Sequence, residues 1–213
     1  FQKPIIEYLP KGKISRQETR ALTLKFLSLC RESRELVKED QNGVFNIIDL
    51  QKVKMEILLN QNALPKFGSE KRAVKKDVFK PSLFEGVMSY SGILGYYNPF
   101  TAEAQYNAQL PSTYLPFTLA HESMHQLGYA REQEANFMAY LIGRNSKNVD
   151  IKYSTDYFVL KSLLNYQAEK DPQFVIAVIQ NYSLGMARDR AAEKKFVKDH
   201  EGLLDIFFGV SND

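Results

Sequence analysis

The sequence predicts one α+β domain, mostly α-helical, with a small antiparallel or mixed sheet. Three observations predict it. Apolar residues recur at helical spacing over about 15–61 and again from about 114 onward. Between these blocks, residues 83–97 interleave aromatic and branched side chains with glycine and serine, which favours strand over helix. No internal repeat, low-complexity tract or linker divides the 213 residues, a length that suits one medium domain spanning 1–213.

The elements follow in order. Residues 1–14, with Pro4, Pro10 and Gly12, read as an extended lead-in. Ser15 and Glu18 match a capping box, in which each side chain satisfies the other's free backbone donor. Leu22, Phe26, Leu29, Ser33 and Leu36 then recur at helical spacing, predicting a helix over about 15–39 that Gln41-Asn42-Gly43 ends. A second helix covers about 49–61, with Leu50, Val53, Ile57 and Leu58 on one face. The lysine-rich stretch Lys66 to Lys80 reads as a solvated surface segment, the alternative being a patch that faces a membrane or an acidic partner. The strand at 83–97 is turned by Asn98-Pro99, and residues 102–108 form a second short strand or an irregular loop. Helices are expected at about 114–127, 131–143, 154–169, 172–182 and 184–207. Asp171-Pro172 marks one start, an N-cap followed by proline at the first helical position.

Composition narrows the function. Lys+Arg is 28 against 25 Asp+Glu, a net charge of +3, too small and too evenly spread to make nucleic acid the main partner. Cys30 stands alone, so no intrachain disulfide or cysteine metal cluster can form. No run of about 18 apolar residues occurs, so no segment here reads as a membrane span. The three histidines are His121, His125 and His200, and two of them sit four residues apart.

The stretch His121-Glu122-Ser123-Met124-His125 reads H-E-x-x-H. On a helix, positions i and i+4 share a face, so both imidazoles can reach one zinc ion at about 2.0–2.1 Å. Zinc lowers the pKa of a bound water to about 7, and Glu122 beside it can take that water's proton during attack on a carbonyl. Pro116 suits the first turn of the helix, and Gly128 can end it in a left-handed conformation. The alternative is a pair of partly buried histidines on an ordinary amphipathic helix. A third ligand must be a carboxylate, and Glu132 and Glu134 are the candidates. They point about 200° apart around a helix, so only one can face the site. Glu132 shares its face with Ala135, Asn136 and Ala139, where two alanines permit close approach and Asn136 can hydrogen-bond the outer edge of a ligand. Glu134 shares a greasier stripe with Phe137, Met138 and Leu141, so Glu132 is favoured. Acids in a helix's first turn also occur simply because the helix dipole attracts them.

HESMH, a glycine turn and E-x-x-A-N together resemble the gluzincin clan of zinc metallopeptidases. The resemblance implies a zincin-like fold, with His121, His125 and Glu132 as ligands of one zinc per chain. It makes Glu122 the general base and Asn136 the residue that orients a ligand. The chain departs from most gluzincins in spacing, since six residues separate His125 from Glu132. That shortness is similar to the metzincin pattern H-E-x-x-H-x-x-G-x-x-H, but Arg131 stands where its third histidine would be. GYYNPFTAEAQYN (95–107) and HESMHQLGYAREQEANFMAYL (121–141) further resemble a family of bacterial membrane proteins with a predicted zincin domain. In that family transmembrane helices precede the soluble part. The resemblance implies that residue 1 follows a membrane anchor, and the single cysteine is compatible with an extracytoplasmic location.

The expected function is zinc-dependent endopeptidase action on a peptide or protein. Strand 89–97 would then receive substrate by strand addition. Tyr96, Tyr97, Tyr106, Tyr129 and His200 are candidates to donate to the oxyanion, and Glu103 is a further acid for the cleft. Two other readings stay open: a non-proteolytic zinc-binding sensor or scaffold, and a zinc hydrolase of a non-peptide amide.

Overall fold

Ser15 opens the first long helix as the sequence predicts. Its hydroxyl accepts the Glu18 N–H at 3.2 Å, and the Glu18 carboxylate accepts the Ser15 N–H at 2.8 Å. Helix α1 runs Arg16–Arg34. In the computed structural model the described residues are 4–9, 12–65, 67, 79–82, 95–98 and 103–199. α1 ends earlier than expected, because Gly43 turns the chain at a φ of 69° and Glu39 pairs with Phe45 in an isolated bridge. Its buried face also differs from the expected one. Thr23, Phe26, Leu27, Cys30, Ser33 and Arg34 are buried, whereas Leu22 and Leu36 are exposed. Phe26 and Ser33 of the expected face are buried, and the shift away from Leu22 and Leu36 comes from polar burial: Thr23 accepts from Gln167 at 2.7 Å and Arg34 pairs with Asp189.

The lead-in is a second correction. Ile5–Tyr8 forms a 3-10 turn rather than an extended chain, because Ile5 is buried in the core. Helix α2, Leu50–Asn60, starts at Asp49, whose carboxylate accepts the Lys52 N–H at 3.0 Å. Val53 and Ile57 are its fully buried contribution.

Among the described residues three short strands follow: β1 Phe79–Pro81, β2 Gly95–Asn98 and β3 Glu103–Tyr106. Their order is β1-β3-β2. β2 runs antiparallel to β3, with Gly95 opposite Tyr106 and Asn98 opposite Glu103, while β1 runs parallel to β3. The sheet is therefore mixed. The stretch 102–108 is a strand rather than a loop over its middle four residues. β1 lies at the end of the lysine-rich stretch, where Phe79 is buried and its carbonyl accepts from Lys54 Nζ at 3.3 Å. The rest of that stretch, apart from Phe67, lies outside the described residues, as does the predicted strand before Gly95.

The second half is helical: α3 Leu115–Gln126, α4 Glu132–Asn145, α5 Val149–Ala168, α6 Pro172–Gln180 and α7 Leu184–Asp199. α5 starts five residues before the predicted position because Asn148 caps it, accepting the Asp150 N–H at 2.9 Å. Asp171 does precede α6, but its side chain does not cap the helix. Its carboxylate is taken by Arg16 and Arg20 of α1 instead. α4 and α5 pack closely at Gly143, where a Cβ atom would collide with the Thr155 side chain.

Among the described residues two clusters form the core. One gathers α2, the sheet, α3 and α4 around Ile57, Tyr106, Leu119, Met124, Met138 and Ile142. The other joins α1, α5 and α7 around Phe26, Cys30, Tyr153, Tyr157, Leu160 and Met186. Among the described residues no helix is long and apolar enough to cross a membrane.

Candidate metal centre

α3 is fixed at both ends. At its start the Phe117 N–H donates to Ser154 Oγ at 3.1 Å, and Ser154 Oγ donates to the Thr113 carbonyl at 2.7 Å. Leu119, Ala120 and Met124 are fully buried and set its rotation. At its end Gly128 has a φ of 81°. The Gly128 N–H donates to the His125 carbonyl at 2.8 Å and the Tyr129 N–H to the Met124 carbonyl at 3.0 Å. This is a Schellman termination, for which glycine is the unstrained residue. Its consequence is local: it brings the Tyr129 carbonyl back over the last turn, where it accepts from His125 Nδ1 at 2.7 Å.

That bond decides the tautomer of His125. A carbonyl only accepts, so Nδ1 must carry the proton and the neutral ring has its lone pair on Nε2. His121 is placed the same way, with Nδ1 at 2.8 Å from Asn136 Oδ1. The two rings lie one turn apart with centroids 4.7 Å from each other, nearly perpendicular. Their Nε2 atoms approach to 3.1 Å. Glu132, the first residue of α4, adds a carboxylate, with Oε2 at 3.1 Å from His121 Nε2 and Oε1 at 3.4 Å from His125 Nε2. Three lone-pair-bearing groups thus converge, and donor atoms of all three lie within 4.8 Å of one another. Burial, and then the neighbouring His125, lowers the pKa of His121, so a proton is a poor means of holding the cluster together. A metal cation suits it, and this cluster could hold one.

Glu122 sits between the histidines in sequence and is only 5% exposed. Burial, reinforced by the charge of Glu132, pushes its carboxyl up to about 8. Its Oε2 has no hydrogen-bond partner among the described residues. A buried orphan oxygen beside three converging donors fits a centre that takes a cation, whose charge would favour the ionised carboxylate. The Glu132 side chain is 67% exposed, so the cluster is open to solvent on the α4 side.

The structure thus brings together His121, His125, Glu132 and Asn136, with Glu122 alongside. It directs Glu134 elsewhere: that carboxylate accepts the Ile5 N–H at 2.9 Å and lies 3.5 Å from Arg131 Nη1. The Tyr129 ring is buried in the core, and so is the ring of Tyr106, which lies under Lys54 Nζ. Tyr96, Tyr97 and Glu103 belong to β2 and β3 by their backbone, but their side chains lie outside the described residues, and so does His200. Sequence reasoning missed the Tyr129 carbonyl. The signal was present, since a glycine three residues beyond His125 implies the termination that delivers it.

A sequence-family model described as protein of unknown function (DUF3810) matches residues 1–213. No curated protein and no solved structure matches the chain.

Proposed function

The chain belongs to the DUF3810 family, and we propose that it is a zinc-dependent metallopeptidase with a gluzincin-like centre, an endopeptidase acting on peptide bonds. The convergence of His121, His125 and Glu132 carries this reading. The two Nε2 atoms are 3.1 Å apart, and each has a Glu132 oxygen within 3.4 Å. A tetrahedron with zinc bonds of about 2.0–2.1 Å has edges of about 3.3–3.4 Å. Two imidazoles and one carboxylate also suit zinc better than calcium or magnesium, which take mostly oxygen ligands.

When bound, zinc supplies Lewis acidity and lowers the pKa of water. The remaining work belongs to the chain. Asn136 and the Tyr129 carbonyl hold the two Nδ1 protons and aim the opposite nitrogens inward. Glu122 takes a proton from the attacking water and returns it to the leaving amine, a transfer suited to a carboxylate whose proton affinity burial has raised. A peptide substrate is favoured by the sheet. β2 is an edge strand among the described residues, and it packs with β3 against α3, which carries both histidines. An extended peptide could pair beside it.

Elemental analysis of the purified protein, combined with a peptide-library cleavage screen, tests the reading. One zinc per chain is expected, lost in His121→Ala. Glu122→Gln should keep the zinc and abolish cleavage. Zinc retained without cleavage of any peptide by the unaltered protein would point to a non-proteolytic metal-binding domain.

A further inference from the structure

Glu132 is the least supported of the three converging groups. Each histidine has a fixed partner at Nδ1, but the only ion pairs of the Glu132 carboxylate among the described residues are those with the histidines. It is also the first residue of α4, and the Arg131 side chain provides no cap there. Helix ends without caps fray. The first turn of α4 is held from outside its own helix. Glu134 Oε1 accepts the Ile5 N–H at 2.9 Å, across 129 residues of sequence. Ile5 is 2% exposed and belongs to the core cluster that includes Ala135 and Met138 of α4. Tyr8 contacts Phe67 with ring centroids 6.0 Å apart, and Phe67 contacts Phe137 at 6.2 Å. The N-terminal turn therefore straps the first two turns of α4.

We propose that Glu134 is a positioning residue and that, with the turn Ile5–Tyr8, it forms a latch that sets where Glu132 meets His121 and His125. The inference rests on the metal reading of that cluster. Glu134 ligates nothing itself. Its carboxylate accepts one partly buried backbone N–H, and that bond fixes the helical turn from which Glu132 projects. Metal affinity then depends on a segment more than a hundred residues upstream of the histidines in sequence. A latch of this kind explains why two acids stand two positions apart at the start of α4: one faces the cluster and the other faces the strap.

The test is zinc affinity of the full chain, measured by competition with a chelator, with the visible spectrum of the Co2+-substituted protein as a report on ligand geometry. Glu134→Ala should weaken zinc binding about 10-fold or more, as loss of groups that orient ligands does, and should change the Co2+ spectrum. Glu134→Gln retains an oxygen that accepts from Ile5 and should stay close to the unaltered affinity. Ile5→Ala loosens the same strap, so its effect and that of Glu134→Ala should not add in the double variant. Metal-free melting curves report separately on general stability. If Glu134→Ala does not fold, Ile5→Val is the milder probe and should weaken zinc binding in the same direction. Unaltered zinc affinity in the variant that folds, or a Gln variant as weak as the Ala variant, overturns the latch. Absence of zinc binding by the unaltered chain overturns the metal reading itself.

Discussion

The Tyr129 carbonyl accepts from His125 Nδ1 at 2.7 Å because Gly128, between them, adopts a left-handed φ of 81°. One glycine thus couples the end of α3 to the orientation of an imidazole. Gly128→Ala should cost about 1–2 kcal/mol in stability, the strain of placing a Cβ in that region. It should also weaken metal binding more than a surface substitution of equal stability cost. Urea denaturation and zinc titration check the two effects, and zinc affinity that stays unchanged would separate the turn from the site.

The histidine pair, its helix and its glycine stop were legible in the sequence because each depends on spacing along a single element. The preference for Glu132 over Glu134 was legible for the same reason, since 100° per residue separates their faces. What stayed hidden depends on partners distant in sequence. Ile5 reads as part of a loose lead-in until Glu134 is seen to bind its N–H. β1 lies in a lysine-rich stretch and is a strand because β3 pairs with it. The buried stripe of α1 also carries threonine and arginine, which hydropathy assigns to solvent.

Asp189 is the clearest case of such buried polarity. Its carboxylate takes Arg34 through Nε at 2.6 Å and Nη2 at 3.2 Å, and also accepts the Phe45 N–H at 2.8 Å and the Tyr153 hydroxyl at 2.7 Å. The Asp189 side chain is wholly buried and that of Arg34 nearly so. Removing Asp189 leaves the buried Arg34 only the partly exposed Glu39, 3.0 Å from its Nη1, as a charge partner. Asp189→Ala should therefore destabilise the fold by about 3–5 kcal/mol, read as a lower urea midpoint. An apolar replacement of both partners should cost less than the single substitution.

Asp156 gives a dependence on pH. It is buried and accepts from Ser33 Oγ at 3.2 Å. Burial is the main cause that pushes its carboxyl up to about 6, with Glu32 adding to the effect and Ser33 and Lys152 opposing it. The unfolded chain releases this proton near pH 4. Between about pH 4 and 6 the folded state therefore holds a proton that the unfolded state has lost, and stability falls as pH rises through that window. The loss is about 2–3 kcal/mol. Asp156→Asn keeps an oxygen for Ser33 and should raise stability at pH 7 while flattening the curve between pH 4 and 6. A variant whose pH profile matches the parent's would discount this contribution.

Gly143 tests the contact between α4 and α5. A Cβ there meets the Thr155 side chain, so Gly143→Ala should destabilise by about 1–3 kcal/mol through overpacking. Pairing it with Thr155→Ala, which removes both the hydroxyl and the methyl group that the new Cβ meets, should recover part of the loss.

The meeting of His121, His125 and Glu132 has a thermodynamic consequence that does not depend on the proposed activity. Without a cation, folding must press three electron-rich groups together, and the unfolded chain is free of that repulsion. A metal bound only by the folded form shifts the equilibrium by about 2.7 kcal/mol at one hundred times its dissociation constant. The melting temperature of this protein should therefore track free zinc in its surroundings. If the proposed zinc binds, the folded population becomes a gauge of metal supply, and a chelator should lower the melting temperature.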